Sequence, residues 1–168
     1  MNIIVAADQN WGIGAKNDLL YNLKQDMNFF KEMTMDKIVV MGRNTLESFP
    51  GGKPLKRRIN ICLNAEEGFE REGVIVVTSL DQLFEKLSIY NTDDIFIIGG
   101  ASIYRQLLPY CRFAYITKIE DSKSAEVFFP NLDEDANWVL SHTSETLEEE
   151  GTKFAFCTYE NQNIQYYK

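Results

Sequence analysis

Histidine and cysteine are scarce in this sequence, and their scarcity excludes several kinds of catalytic site. The single histidine, His142, lies in an alternating segment near the C-terminus, which is more typical of a structural or exposed residue than of a catalyst. Serine–histidine and cysteine–histidine nucleophile schemes therefore have no base. Cys62, Cys111 and Cys157 are odd in number, far apart and without a CxxC pair, so we expect small buried residues rather than disulfides or a metal site.

Positive charge and long apolar runs are also lacking. The net charge of -8 argues against a nucleic-acid or anionic-membrane surface, because both partners require a basic face. No stretch has the length of a membrane span, and the N-terminus has no signal-peptide pattern. We expect a cytoplasmic protein, and 168 residues with 45% hydrophobic content predict a single domain over 1–168.

Strand-like and helical patterns alternate along most of the chain. Apolar runs predict strands at 3–7, 37–41, 58–63, 74–77, 95–98 and 113–119, and helical patterns lie at 24–33, 44–49, 80–87 and 101–108. This alternation predicts an α/β domain whose central, largely parallel sheet is covered on both faces. Two extended segments, 138–146 and 153–160, surround the sequence EEEG and predict an antiparallel hairpin at the sheet edge, with the glutamates in a solvated turn.

One carboxylate lies on the apolar face of the first predicted helix. Phe29, Phe30 and Met33 follow Asp26 at the spacing of a core-facing stripe, so Asp26 is a polar member of a buried face. A buried carboxylate is costly unless a ligand or polar network satisfies it, which makes Asp26 a candidate functional residue.

A second interpretation of Asp26 is an ordinary acidic residue in the first helical turn, where the helix dipole favours negative charge. Asn22 and Gln25 fit a capping pair and would place Asp26 one turn later. Spacing alone leaves both interpretations open.

Two predicted strands lead through glycine into a helix, at Gly42 to Thr45 and at Gly99 to Tyr104. Such turns can hold phosphates, and two of them on one sheet suggest a dinucleotide, although each can equally be only a tight turn. The chain lacks both the usual dinucleotide fingerprint and a P-loop, so a dinucleotide would bind on another α/β scaffold. Arg43 suits an extra ribose phosphate, or alternatively a surface salt bridge. Hydride transfer fits a chain with few titrating groups, because the cofactor carries the chemistry.

These pieces together resemble the dihydrofolate reductase family over essentially the whole chain. They are VAAD, GIGAKNDLLYNLKQDMNFFK, VVMGRNTLESF, PLKRRINICLN, FIIGGASIY, YITKI and VFFP, in that order. The resemblance implies an eight-stranded mixed, mostly parallel sheet with helices on both faces and a C-terminal antiparallel hairpin. It also implies a monomer that uses NADPH to reduce 7,8-dihydrofolate to 5,6,7,8-tetrahydrofolate, with the hydride going to C6 and N5 protonated from solvent.

The resemblance also implies roles for individual residues. Asp26 would bind N3 and the 2-amino group of the pterin, Thr117 would orient Asp26 and a water, and Tyr21 would contact a bridging water. Arg58 would clamp the α-carboxylate of the glutamate tail, and the loop 9–23 would close as a lid. The implied substrate-binding residues are Val5, Ala6, Leu20, Asp26, Met27, Phe30, Phe49, Leu55, Arg58 and Thr117. The implied cofactor-binding residues are Ala7, Ile13, Gly14, Asp18, Leu19, Gly42, Arg43, Asn44, Thr45, Leu63, Asn64, Ala65, Ile98, Gly99, Gly100, Ala101, Ser102, Ile103 and Tyr104, with a cis bond between the two glycines of IIGG.

The sequence departs from the family pattern in two places. Leu20-Tyr21 and Lys24 replace a Pro-Trp pair and a proline, which removes stiffness at the exit of the lid. Asn64-Ala65 replaces a Ser-Arg pair near the cofactor. Two alternatives stay open at this point: a riboflavin-pathway pyrimidine reductase of the same fold, and a non-catalytic nucleotide-binding module that uses only the two glycine turns.

Overall fold

The computed structural model describes residues 1–15 and 18–167, whose main elements are four α-helices and twelve strands. In chain order they are β1 Asn2–Ala7, β2 Gly12–Ala15, β3 Asp18–Leu19, α1 Lys24–Thr34, β4 Ile38–Gly42, α2 Arg43–Ser48, β5 Ile59–Leu63, β6 Val74–Val77, α3 Leu80–Leu87, β7 Ile95–Gly99, α4 Ala101–Leu107, β8 Phe113–Ile119, β9 Val127–Phe128, β10 Trp138–Thr143, β11 Leu147–Glu149 and β12 Thr152–Asn161. The predicted helices and the six predicted sheet strands from 3 to 119 agree with these bounds to within one residue at each end.

Nine strands form one mixed sheet, eight of them in the order β10-β12-β8-β1-β7-β4-β5-β6 and the ninth, β11, paired with β12. The five pairings from β8 to β6 are all parallel, whereas β12 runs antiparallel to both β8 and β10. The predicted mostly parallel sheet with an antiparallel C-terminal pair is confirmed.

Helices cover both faces of this sheet because successive strand residues point to opposite sides. Along β4, Ile38 and Val40 pack in the core cluster that contains side chains of α3 and α4, and Val39 and Met41 pack in the cluster with α1 and α2. Helix α1 connects β1 with β4 and α2 connects β4 with β5, while α3 connects β6 with β7 and α4 connects β7 with β8. Because these strands are parallel, their carboxyl ends lie at the same edge of the sheet, where α/β proteins bind ligands.

The C-terminal hairpin differs from its prediction. The predicted strand 138–146 ends earlier, as β10 at Thr143, and a separate short strand, β11, follows at Leu147–Glu149; both pair with β12. Glu149 pairs with Thr152 across a two-residue turn in which Glu150 and Gly151 have φ values of 50° and 82°. Positive φ at both central residues is typical of the type I′ turn, which fits the twist of a hairpin. Strand β11 therefore extends to Glu149, inside the segment 148–151 that was predicted to be a solvated turn.

The predicted lid loop 9–23 also contains regular structure. Strands β2 and β3 form a second sheet with β9, in the order β3-β2-β9. Gly12 and Gly14 of β2 pair with Phe128 and Val127, so the partner strand lies far along the chain and no local pattern could indicate it. Lys16 and Asn17 of this loop lie outside the described residues.

The predictions for the histidine and the cysteines agree with the structure. His142 is exposed on β10, and Cys62, Cys111 and Cys157 are buried free thiols. Within 1–15 and 18–167, none of the helices combines the length and apolar character needed to cross a membrane.

Candidate active site

Asp26 lies in the first turn of α1. The predicted capping pair of Asn22 and Gln25 is wrong, because α1 starts at Lys24 and its N-cap residue, Leu23, makes no side-chain cap. The carboxylate of Glu149, from the C-terminal hairpin, accepts hydrogen bonds from the amides of Lys24 and Gln25 instead. The two interpretations of Asp26 are therefore compatible, since it is both a first-turn residue and an inward-facing one.

The side chain of Asp26 is bound to a buried threonine. The Thr117 hydroxyl donates a hydrogen bond of 2.6 Å to Oδ1 of Asp26. Thr117 is 2% exposed and lies on β8, directly opposite Ala6 of β1. Burial raises the pKa of Asp26 above its ordinary value, the Thr117 hydrogen bond opposes the rise, and the nearby charge of Glu149 adds to it. The site thus contains a desolvated carboxylate whose position is set by one hydroxyl.

Tyr21 packs against the apolar cluster that contains Leu23, the N-cap residue of α1. Its hydroxyl is buried and makes no hydrogen bond of normal length with the described residues. Burial raises the pKa of Tyr21 to about 12, and the carboxylates of Asp121 and Asp8 contribute to the rise. The ammonium of Lys123 lies 4.4 Å from the centre of the Tyr21 ring and donates to the carbonyl of Leu20 at 3.0 Å. The tyrosine hydroxyl is therefore protonated at neutral pH.

The predicted apolar contacts with the substrate come from several elements. Phe30, Phe49 and Leu55 pack at the border of the core cluster beneath α1 and α2. Val5 and Ala6 are half-buried on β1, and Ala6 borders the cluster that contains Tyr21. Leu20 is half-buried, whereas Met27 is 55% exposed.

A buried asparagine organises the loop before β5. Asn60 is 2% exposed; it accepts from the amide of Leu55 at 3.0 Å and donates to the carbonyls of Leu55 and Arg58 at 2.9 and 3.1 Å. It therefore fixes the two ends of the segment that carries Arg58. Sequence reasoning missed this residue, although a polar side chain inside the apolar run INICL was an available signal.

Two neighbouring arginines in this loop have different environments. Arg57 pairs with Asp36 through two hydrogen bonds of 2.8 and 3.2 Å. The Nε atom of Arg58 is buried without a hydrogen-bond partner among the described residues. Burial lowers the pKa of Arg58 and the charge of Arg57 lowers it further, while Asp36 raises it. Of the two, Arg58 is the one suited to bind an external carboxylate.

The predicted cofactor residues lie mainly at the carboxyl ends of neighbouring parallel strands. Ala7 ends β1, Gly42 ends β4, Leu63 ends β5 and Gly99 ends β7. Because β7 pairs with β1 and β4, and β4 pairs with β5, these ends share one edge. The peptide bond between Gly99 and Gly100 is cis, as the resemblance implied.

The glycine turns approach each other closely. Gly99 has a φ of 127°, and a Cβ atom there would lie 3.2 Å from the Thr45 hydroxyl oxygen. A Cβ atom on Gly42 would lie 3.1 Å from Ile103. Larger residues at either glycine would close the space between the starts of α2 and α4.

The side chains that follow the second glycine turn mostly belong to the core. Ala101, Ile103 and Tyr104 are buried, and the Tyr104 hydroxyl donates to the carbonyl of Ile4 at 3.0 Å. The Ser102 side chain is exposed. Contacts with a cofactor at this turn would therefore use the backbone and Ser102.

Arg43 makes the surface ion pairs that the sequence allowed as its alternative role. It lies 3.0 Å from Glu47 and 3.5 Å from Glu66, and its guanidinium is 4.2 Å from the centre of the Phe69 ring. The neighbouring Asn64 donates to the Glu66 carbonyl at 3.1 Å. The remaining predicted cofactor residues divide by burial, with Ile13 and Ile98 buried, Gly14 on β2, and Asn44, Ala65, Asp18 and Leu19 exposed.

Sequence reasoning also missed Asp8, which follows β1. Asp8 is fully buried; its Oδ1 accepts from the amides of Asn10 and Gly12 at 2.9 Å each, and its Oδ2 accepts from the amide of Lys123 at 3.2 Å. The carboxylate thus joins the start of the predicted lid to the loop after β8. An aspartate between a strand and a glycine was the available signal.

Comparisons with known proteins agree with this arrangement. A family model described as dihydrofolate reductase matches residues 1–161. The chain is 35% identical to dihydrofolate reductase of Bacillus subtilis over 97% of this chain and 95% of the relative, and 35% identical to that of Schistosoma mansoni over 99% and 98%. It is similar in structure to dihydrofolate reductase from Enterococcus faecalis complexed with NADP(H) and RAB-propyl, with a TM-score of 0.85, 29% identity and 95% of each chain covered. This chain belongs to the dihydrofolate reductase family.

Proposed function

We propose that this protein reduces 7,8-dihydrofolate through a site whose polar anchor is the hydrogen-bonded pair of Asp26 and Thr117. The family makes it an NADPH-dependent dihydrofolate reductase. The observation that carries the assignment of the site is the desolvated carboxylate of Asp26, held at 2.6 Å by Thr117 beside β1.

Asp26 recognises the flat heterocycle of the substrate through its carboxylate. Thr117 occupies one lone pair of Oδ1, which leaves Oδ2 and the rest of Oδ1 to accept from two adjacent donors. The N3–H and 2-amino groups of a pterin are such donors, and a charge-assisted pair of this kind fixes the orientation of the ring. The low polarity that raises the pKa of Asp26 also strengthens its field at the ring.

Proton delivery to N5 comes from solvent rather than from Asp26 directly. We expect the buried, unpartnered hydroxyl of Tyr21 and the hydroxyl of Thr117 to orient a water near the ring. Asp26 contributes by position and by its field, and closure of the lid segment 9–23 excludes other water.

The rest of the substrate meets apolar residues and one cation. Phe30, Phe49 and Leu55 supply the apolar surface for the ring and the aminobenzoyl group. Arg58, whose loop is fixed by Asn60, binds the α-carboxylate of the glutamate tail.

The residues at the carboxyl edge of the sheet fit a dinucleotide. When bound, NADPH supplies a hydride from C4 of its nicotinamide ring to C6 of the substrate. The glycine turns leave the backbone open at the places where a Cβ atom would meet Thr45 or Ile103, which is what close approach of phosphates requires. Arg43 would bind the ribose phosphate by exchanging its contacts with Glu47 and Glu66.

Three further properties belong to this proposal. We infer a single domain over 1–168, a monomer, and a cytoplasmic protein without nucleic-acid partners. The net charge of -8 supports the last of these, because nucleic-acid binding requires a basic surface.

Incubation of the protein with NADPH and dihydrofolate, followed by absorbance, tests the proposal. We expect NADPH consumption with dihydrofolate and none with a phosphoribosylated pyrimidine, the substrate class of the riboflavin-pathway alternative. NADPH binding without consumption of dihydrofolate would contradict the proposal and favour a non-catalytic nucleotide-binding module.

A further inference from the structure

Glu149 forms a contact with helix α1 that spans most of the chain. Its Oε2 accepts from the amide of Lys24 at 2.6 Å, and its Oε1 accepts from the amide of Gln25 at 3.0 Å. Glu149 ends β11, more than 120 residues away in sequence. Its neighbour Glu148 carries the same charge on the same strand and is exposed.

These two amides are among the four that a helix leaves without intrahelical partners at its start. The first intrahelical bond of α1 runs from the Met27 amide to the Leu23 carbonyl at 2.9 Å, so the preceding amides require partners from outside. Leu23 makes no side-chain cap, and the carboxylate of Glu149 takes its place. The two amide bonds lower the pKa of Glu149, which keeps it ionised.

The same hairpin is connected to the partner of Asp26. Glu149 pairs with Thr152 on β12, and further along β12 Phe156 lies opposite Thr117. Phe154, between them, packs with Leu23 at the start of α1. Strand β12 therefore lies between Glu149, which binds the start of α1, and Thr117, whose hydroxyl binds Asp26.

We propose that Glu149 is a positioning residue, which clamps the first turn of α1 to the C-terminal hairpin and thereby holds Asp26 against Thr117. The proposal rests on the role of Asp26 proposed above. Glu149 does not touch the substrate in this account and acts only through the helix start.

The charged and polar groups around Asp26 define what removal of Glu149 changes. Thr117 faces Asp26 from β8, Glu149 faces it from β11, and Tyr104 of α4 is close enough that the Asp26 charge helps to raise its pKa. Lys24, at the start of α1, lies close to Glu149 of β11, and its charge lowers the pKa of Glu149. Loss of Glu149 has two opposite effects on the pKa of Asp26: removal of the negative charge lowers it, and release of Asp26 from the Thr117 hydrogen bond raises it.

The experiment compares Glu149→Ala and Glu149→Gln with Glu148→Gln, which removes an equal charge from the adjacent position. Carbon-13 NMR measures the titration midpoint of the Asp26 carboxyl in the free protein, with its signal assigned from Asp26→Asn. Steady-state kinetics then separates KM for dihydrofolate from kcat, and fluorescence measures the affinity for NADPH.

We expect Glu149→Ala to raise KM for dihydrofolate about threefold to tenfold, with NADPH affinity unchanged. Glu149→Gln loses the same charge but keeps one acceptor oxygen for the helix amides, so it should raise KM less and show a lower Asp26 midpoint than Glu149→Ala. Glu148→Gln behaves as the wild type and is the reference for Glu149→Gln if the alanine variant does not fold. The proposal is overturned if a folded Glu149→Ala protein binds dihydrofolate as the wild type does, if its Asp26 midpoint equals that of Glu149→Gln, or if Glu148→Gln raises KM as much as Glu149→Gln. The NMR titration needs no turnover, so it tests the clamp even if the protein fails to reduce dihydrofolate.

Discussion

At the scale of single residues, Asp26 has opposite effects on binding and on stability. Its ionised form is the one that binds two donors of a heterocycle, and burial disfavours that form. The Thr117 hydrogen bond recovers part of this cost but not all of it, since the pKa remains raised. The folded protein is therefore less stable with an ionised Asp26 than with a neutral group in its place.

Replacement of Asp26 by asparagine should stabilise the protein in a pH-dependent manner. A carboxyl with a raised pKa in the folded state binds its proton more tightly there than in the unfolded state, so its ionisation favours unfolding. The stabilisation by Asp26→Asn should be near zero below the ordinary pKa of 3.8, grow as the pH rises through the raised pKa, and then stay constant.

Urea unfolding of both proteins across this pH range measures the difference. Thr117 can still donate to the asparagine oxygen, so the comparison isolates the charge. A difference in the free energy of unfolding that does not change with pH would contradict a raised pKa of Asp26.

At the scale of elements, the loops at the site are joined by buried polar side chains. Asp8 connects the amides of Asn10 and Gly12 with that of Lys123, and a Cβ atom on Gly12 would lie 3.1 Å from either oxygen of the carboxylate. The predicted lid and the loop after β8 are thereby held together at their base.

Replacement of Asp8 by asparagine should loosen this junction. The asparagine oxygen can keep the bonds to Asn10 and Gly12, but its NH₂ group would face the amide of Lys123, so that a donor meets a donor. We expect a loss of about 1–3 kcal/mol in the free energy of unfolding. In the matched control, Asp135→Asn keeps its single accepted bond from Asn137 at an exposed turn and should change stability by less than about 0.5 kcal/mol. Equal stabilities of the two variants would contradict the structural role of Asp8.

Elements with a strong local pattern were predictable from the sequence, and those that depend on distant partners were not. The strand Phe113–Ile119 and the helix Leu80–Leu87 were predicted at their observed bounds, because apolar periodicity specifies each of them. The helix cap was predicted wrongly, since Glu149 lies far along the chain and outcompetes the local pair. The pairing of β2 with β9 was missed for the same reason.

The candidate site divides in a similar way. Asp26 was identified by its place on an apolar face, and Thr117 and Arg58 came from the resemblance to the family. Asn60 shapes the site through hydrogen bonds to the backbone, which leave little trace in a sequence pattern.

At the scale of the whole molecule, charge opposes the approach of the ligands. The protein carries a net charge of -8, and both dihydrofolate and NADPH are anions. Arg43 and Arg57 are already paired with carboxylates, which reduces the positive field that they present at the site. Long-range electrostatics should therefore slow association.

Added salt should accelerate ligand association. Ions screen the net repulsion over a distance of about 10 Å at 0.1 M, whereas short-range contacts such as that of Arg58 are screened less. We expect the association rate constant of NADPH, measured by stopped-flow fluorescence, to rise by at most about tenfold from low to moderate salt. A steep fall would contradict this and would indicate a locally attractive field.

The central claim is that the Asp26 carboxylate binds and orients the reacting ring. Turnover of Asp26→Asn with NADPH and dihydrofolate near neutral pH, together with its affinity for NADPH, tests this claim most directly. The account predicts that NADPH binds as it does to the wild type while kcat/KM for dihydrofolate falls by about a hundredfold or more, the loss of about 3 kcal/mol expected for a charge-assisted pair. An asparagine variant that turns over at the wild-type rate would contradict the account.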